Sequence, residues 1–357
     1  MNLKNKDDAE MAFQRVEAWF KGQIIDRPPI RFTGHNAEYS NTDAECTPRQ
    51  WKEFWFDTER VVNSFTKSSA NKIFLAETFP VFWPNLGPDV YASFYGCDLT
   101  FDEITSWSHP CIETLQDISV VHCAPEGSEY YKKLTQLTQC ALENCDGRYI
   151  VGYPDFHPGV DCVAAWRGPE NLCFDLMENP DIVGRLVTLA SKDFIAIYDH
   201  FDSLLKQYGQ PSTNWMGIPA AGKFHVPSCD FATMMSPQQF RHFALPVIQK
   251  EIAHATHNVF HLDGKGVARH LNDILELPEI SAIQWVQGAG DDEPIMQWIP
   301  LIKEIRNAGK NVVLGIKEHE LDEFIDEIPP EGIFLCIEEN DQAIQQAIIK
   351  RIQNWVS

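Results

Sequence analysis

The sequence predicts an α/β fold, a (β/α)₈ TIM barrel with additional N-terminal helices. Three observations carry this reading. Eight short apolar or β-branched runs recur along the 357 residues, bounded by turn-forming residues. Seven of the eight are followed by sequence that can form a helix. Most end in polar or ionisable side chains, as strands do at the mouth of a parallel barrel.

The elements follow in order. Met11, Val16, Trp19 and Phe20 lie near helical spacing, so residues 8–21 read as a helix within an N-terminal helical segment, 1–26. Asp26-Arg27-Pro28-Pro29 stops it and opens the first strand, Pro29–Thr33. Thr47-Pro48 reads as an N-cap followed by proline at the first helical position, starting a helix to about residue 64. The second strand is Lys72–Ala76, followed by Glu77 and a proline- and aromatic-rich loop containing Trp83. A helix over 125–146 leads into the strand Arg148–Gly152 and the rigid turn Tyr153-Pro154-Asp155-Phe156-His157-Pro158-Gly159. Asn179-Pro180 starts a helix to about residue 208, ahead of the strand Thr213–Gly217. Ser236-Pro237 caps a helix to about residue 257, with a kink expected at Pro246. Strands Val259–Asp263, Ala282–Val286, Val312–Ile316 and Gly332–Ile337 alternate with helices at 269–275, 294–308 and 321–328, and a last helix spans 341–355. No repeat, low-complexity tract or linker interrupts the chain, so 1–357 reads as a single barrel domain.

Composition narrows the function. With 29 basic and 51 acidic residues the formal charge is −22, which argues against nonspecific nucleic-acid binding and against an anionic membrane surface. No apolar run approaches the roughly 20 residues needed to span a bilayer. The polar stretch Met1–Glu10 lacks a signal-peptide core, so a cytoplasmic location is expected. The ten cysteines contain no C-x-x-C pair and read as mostly reduced thiols.

The strand ends hold the candidate chemistry. In Val259-Phe260-His261-Leu262-Asp263-Gly264, alternation puts His261 and Asp263 on one face. Such a pair can bind a divalent metal, act as acid and base, or hold a substrate group. The competing reading has Asp263 capping the next helix and His261 filling the core. Cys336, at the end of the last strand, is either a further metal ligand or a packed thiol. Glu77 suits a general base or a structural ion pair equally. Asp155 and His157, two apart, face the same way, and His35 follows the first strand. Trp83, Trp215, Gln284 and Trp285 are candidate substrate-facing residues, with core packing as the alternative for the tryptophans.

Several segments resemble the uroporphyrinogen decarboxylase-like superfamily, which includes cobamide-dependent methyltransferases. They are Arg27-Pro28-Pro29-Ile30, Arg167-Gly168-Pro169-Glu170, Leu176-Met177-Glu178-Asn179-Pro180, Cys229-Asp230-Phe231-Ala232-Thr233-Met234-Met235-Ser236-Pro237 and His261-Leu262-Asp263-Gly264. Their order and spacing cover nearly the whole chain, and the resemblance implies a (β/α)₈ fold. The decarboxylases carry an arginine-rich, propionate-binding segment after the first strand. Here that stretch is Thr33-Gly34-His35-Asn36-Ala37-Glu38-Tyr39, without arginine. The family's catalytic aspartate matches Glu77. The methyltransferase branch binds zinc through His-x-Cys and a later cysteine; His261 matches the histidine, Asp263 replaces the first cysteine, and Cys336 falls near the second.

Three functions follow. The first is a methyltransferase acting on a small substrate and a cobamide (corrinoid) carried by a partner protein, with zinc on His261, Asp263 and Cys336. The second is a decarboxylase or related lyase on a small carboxylate or tetrapyrrole-related substrate, using Glu77 with His35 or His157. The third is a non-catalytic corrinoid- or tetrapyrrole-binding protein. A homodimer is expected only by family habit.

Overall fold

Strand alternation divides the core in two. The computed structural model describes residues 2–33, 47–70, 72–115, 118, 121 and 124–356, so His35 and Glu38 lie outside the described residues. The strands are β1 Ile30–Thr33, β2 Val81–Phe82, β3 Asp98–Phe101, β4 Ser106–His109, β5 Ile150–Val151, β6 Phe224–His225, β7 His257–Asp263, β8 Ala282–Val286, β9 Asn311–Gly315 and β10 Ile333–Glu338. Parallel ladders join six of them in the order β1-β10-β9-β8-β7-β6. A separate parallel ladder joins β2 to β5, and β3 with β4 forms an antiparallel hairpin inserted after β2. The ladders make half a barrel of six strands plus a detached pair; a closed ring of eight is not present among the described residues.

On the outer face Ile30, Phe32, Phe260, Leu262, Ile283, Trp285, Leu314, Leu335 and Ile337 pack in the main hydrophobic cluster with the surrounding helices. On the concave face Val259, Ala282, Val313 and Phe334 join a second cluster with Ala12, Val16, Trp19 and Phe20 of the first helix, Ala9–Phe20. That helix plugs the N-terminal end of the strands. Its Trp19 indole donates to the Gly332 carbonyl at 3.0 Å, and Asn311, at the start of β9, donates to the Trp19 carbonyl at 2.6 Å. Toward the C-terminal ends of the strands the outward residues stay buried, whereas the inward Arg31, His261, Gln284, Val286 and Cys336 are part-exposed and Asp263 and Glu338 exposed. Among the described residues no helix is long and apolar enough to cross a membrane.

Four sequence expectations shift. Lys72–Ala76 forms no strand: Lys6 bonds the carbonyls of Phe74 and Ala76, Ala76 turns at φ +52°, and the chain pairs later, at β2. Thr213–Gly217 is a turn, because the Asn214 side chain accepts from the Met216 N–H and Gly217 takes φ +66°; the laddered strand comes at β6. The helix expected to kink at Pro246 contains a π-helical turn, Phe240–Ala244, just before the proline, which absorbs its missing N–H. The helix capped by Thr47 with Gln50 breaks at Asp57, which caps a second helix, Thr58–Ser69.

Candidate active site at the strand ends

The longest strand, β7, delivers two adjacent lumenal groups. His261 is fixed by three neighbours. Its Nδ1 lies 2.7 Å from the Gln284 amide oxygen on β8, its backbone N–H donates to the Pro227 carbonyl, and its ring meets Trp215 edge-on at 5.4 Å. An amide oxygen only accepts, so Nδ1 carries the proton, and in the neutral ring the lone pair falls on Nε2. Gln284 thereby orients His261. Asp263 occupies the N-cap position of the helix Gly264–Ala268 but makes no side-chain capping bond, so its carboxylate is free of the duty that the capping alternative assigned to it. Gly264, at φ +71°, makes the tight exit.

The third member of this cluster is Asp230. Donor atoms of Asp230, His261 and Asp263 all lie within 4.8 Å of one another. Asp161, in the helix Val160–Arg167, holds the Asp230 loop by accepting the backbone N–H groups of Asp230 and Phe231 at 3.0 and 2.9 Å. Burial, then the Asp230 charge, pushes the Asp161 carboxyl up to about 6, against the pull of His157 and of those two N–H groups. Cys336 is elsewhere. It pairs in register with Arg31 and Gly315, and burial raises its thiol pKa despite the nearby guanidinium. The closest metal-like grouping thus takes Asp230 and leaves Cys336 out.

Asp155 and His157 come together beside this cluster. Asp155 Oδ2 lies 2.8 Å from His157 Nε2, and His157 Nδ1 lies 2.7 Å from Ser228 Oγ. Burial opposes a charge on His157, but the carboxylates of Asp155, Asp161 and Asp230 outweigh it and raise the imidazole pKa to about 10. His157 is therefore an imidazolium at neutral pH, donating from both nitrogens. Asp155 also borders a small cavity with Tyr153, Asn214, Trp215 and His225.

Two expected site residues stand apart. Glu77 precedes β2 and sits at the start of β1, away from the strand C-terminal ends. Its buried carboxylate accepts from Arg27 at 2.6 and 3.0 Å, Arg15 at 3.2 Å and the Ile30 N–H at 2.8 Å. This is the ion-pair alternative, with each oxygen already engaged. Trp285 points outward, because Gln284 takes the inward position on β8, and it packs edge-on against Trp298 at 4.9 Å. Trp215 remains beside His261 on the lumenal side, and it and Trp83 each have a buried indole N–H that meets no acceptor.

Asp230 and Ser228 escaped the sequence reading because the fourth strand was placed ten residues early. With β6 ending at His225, both fall on the loop just past a strand end, where reactive groups are expected.

The fold is shared with a known enzyme. A methyltransferase from Methanosarcina mazei superposes with a TM-score of 0.60 at 13% identity, over 91% of this chain and 92% of the other. No protein-family model and no curated protein sequence matches the chain.

Proposed function

We propose that this chain is a methyltransferase-type enzyme of the uroporphyrinogen decarboxylase-like superfamily, an eight-stranded barrel in which β2 and β5 complete the curve begun by the six-stranded sheet. The observation that carries the reading is the convergence of Asp230, His261 and Asp263 at the C-terminal ends of parallel strands, in a fold shared with a methyltransferase.

The donor set fits a divalent cation. His261 offers a lone pair at Nε2 because Gln284 engages Nδ1, the outer-sphere arrangement common to metal-binding histidines. Asp263 has no competing capping bond, and Asp161 steadies Asp230. One imidazole and two carboxylates suit zinc and also harder divalent ions. When bound, the metal supplies Lewis acidity that lowers the pKa of a coordinated acceptor. The chain itself orients the ligands through Gln284 and Asp161, and holds a cationic donor, His157, at the rim. We assign the methyl partner to a corrinoid on a separate protein, and the substrate to a small molecule entering the lumen.

Elemental analysis of the purified chain tests the metal, and incubation with free cobalamin and candidate methyl donors, followed by corrinoid absorbance, tests the reaction. The expected result is near one divalent ion per chain, lost in His261→Ala. A metal-free protein that takes up no zinc, and that never alters the corrinoid spectrum, overturns the proposal. The lyase reading loses its proposed carboxylate, since Glu77 is committed to Arg27 and Arg15.

A further inference from the structure

Arg31 carries a charge that the site above does not use. On β1 its neighbours Ile30 and Phe32 face the outer helices, so Arg31 points into the lumen, part-exposed. Its guanidinium lies against the turn Asn214-Trp215-Met216-Gly217: a Cβ on Gly217 would stand 3.3 Å from Cζ and 3.4 Å from Nη1. Among the described residues the Cys336 thiol is the group whose charge acts on it, and no carboxylate pairs with it. Arg27 and Arg15, by contrast, are both bound to carboxylates.

The same turn contributes two donors without acceptors. The Trp215 indole N–H and the Asn214 amide NH₂ are sealed from solvent and unpaired, the Asn214 oxygen being used by the Met216 N–H. Trp83, one residue beyond β2, has another unpaired indole N–H. Buried donors left unpaired are costly, the more so when charged. The Arg31 guanidinium and the Trp215 and Asn214 donors of the adjoining turn thus lack acceptor oxygens among the described residues. Below them Val259, Val313 and Phe334 form an apolar floor packed against the first helix. The rim above is acidic, with Asp155, Asp230 and Asp263.

We propose that the lumen binds a small monocarboxylate, its carboxylate anchored by the Arg31 guanidinium beside the Trp215 and Asn214 donors and its apolar body directed along the lumen. A guanidinium fork matches the two oxygens of a carboxylate. The single guanidinium matches the single charge of a monocarboxylate, and carboxylates outnumber the His157 imidazolium near the mouth, which disfavours a dianion such as phosphate. Arg31 lies within the strand, not in the segment after it that holds arginines in the decarboxylases. The proposal rests on the methyltransferase reading only for what happens at the far end of the ligand. The anchor can be tested without metal or corrinoid.

The test is calorimetric titration of the full chain with acetate, butyrate and benzoate, each against its amide, and with inorganic phosphate. At least one carboxylate is expected to bind, with its amide and phosphate weaker by about tenfold or more. Arg31→Gln should abolish that binding, and Arg31→Lys, which keeps the charge but loses the fork, should weaken it by about tenfold. Circular dichroism establishes that each variant is folded; if Arg31→Gln is not, Arg31→Lys decides. Binding that persists in His261→Ala separates the anchor from the metal site. No response to any of the three carboxylates, equal response to acid and amide, or unchanged affinity in Arg31→Lys overturns the proposal.

Discussion

Replacing Glu77 by glutamine separates two roles for a buried carboxylate. Glutamine keeps the shape and one acceptor oxygen, but removes the charge and turns an NH₂ toward donors. The Arg27 side chain is only 3% exposed, so its guanidinium cannot recover solvation. Arg15 and the Ile30 N–H also lose an acceptor of full charge. Removing one partner of a buried ion pair costs about 3–5 kcal/mol, because the other charge is left uncompensated. At about 2 °C per kcal/mol for a chain of this size, the melting temperature should fall by about 6–10 °C. The pair ties the start of β1 to the approach to β2, far from the strand ends that hold the proposed metal ligands. Metal content and corrinoid turnover, measured below the melting transition, should therefore stay within about twofold of the parent. Differential scanning calorimetry and single-temperature kinetics provide the two readouts. A variant that melts like the parent but loses turnover would refute this reasoning and return Glu77 to the chemistry.

Other outcomes follow from the same geometry. Asp263→Asn and Asp230→Asn should each lower bound divalent metal well below one per chain, by elemental analysis, with folding intact because both side chains are exposed. In the metal-free chain His157 should remain protonated up to about pH 10 in an imidazole NMR titration, and Asp155→Asn should lower that value. Because the folded pKa is raised above 6.5, the stability contributed by His157 is complete below 6.5 and is lost as pH rises toward 10, readable by urea unfolding across that range. Gly87→Ala should destabilise by about 2 kcal/mol or more. Gly87 has φ +100°, and a Cβ there would stand 1.8 Å from Ser106 Oγ, which now donates to the Leu86 carbonyl. An unchanged thermal midpoint for that variant would count against the fit described for the hairpin.

The legible part of the fold was the half with continuous apolar runs. Strands β7 to β10 are parallel and buried on their outer face, so their sequences stay apolar and their ends are marked by Asp263, Gly315 and Glu338. β2 and β6 ladder over two residues each, too short to impose a pattern, and Ile-Phe-Leu ahead of Glu77 imitates a strand that the Lys6 ammonium instead holds unpaired. The site divided along the same line. His261 and Asp263 followed from alternation on β7, whereas Asp230 depends on where β6 ends and on an Asp161 contact 69 residues away. The placement of Glu77 at a strand end shifted for a related reason: an apolar run before an acid looks the same whether the acid ends that strand or precedes the next one.

The charge balance of the mouth gives the metal reading its physical weight. Asp155, Asp161 and Asp230 gather around one imidazolium, His157, and Asp263 stands beside Asp230. Lys265, the neighbouring cation, is already paired with Asp292 at 2.8 Å. The protein meets part of this excess by shifting protons, since Asp161 keeps its proton up to about pH 6 and His157 keeps its own up to about 10. Both shifts have the same sign: the pocket draws positive charge. Protons serve Asp161 and His157, which are held inside by hydrogen bonds. The Asp230 and Asp263 carboxylates stand exposed, with donor atoms within 4.8 Å of one another and of the imidazole that Gln284 orients. A divalent cation at that point would neutralise both carboxylates at once and use the one lone pair that the histidine retains. It would also relieve the Asp230 charge that helps raise the Asp161 pKa, so metal binding and proton release from Asp161 are coupled through the loop that joins them.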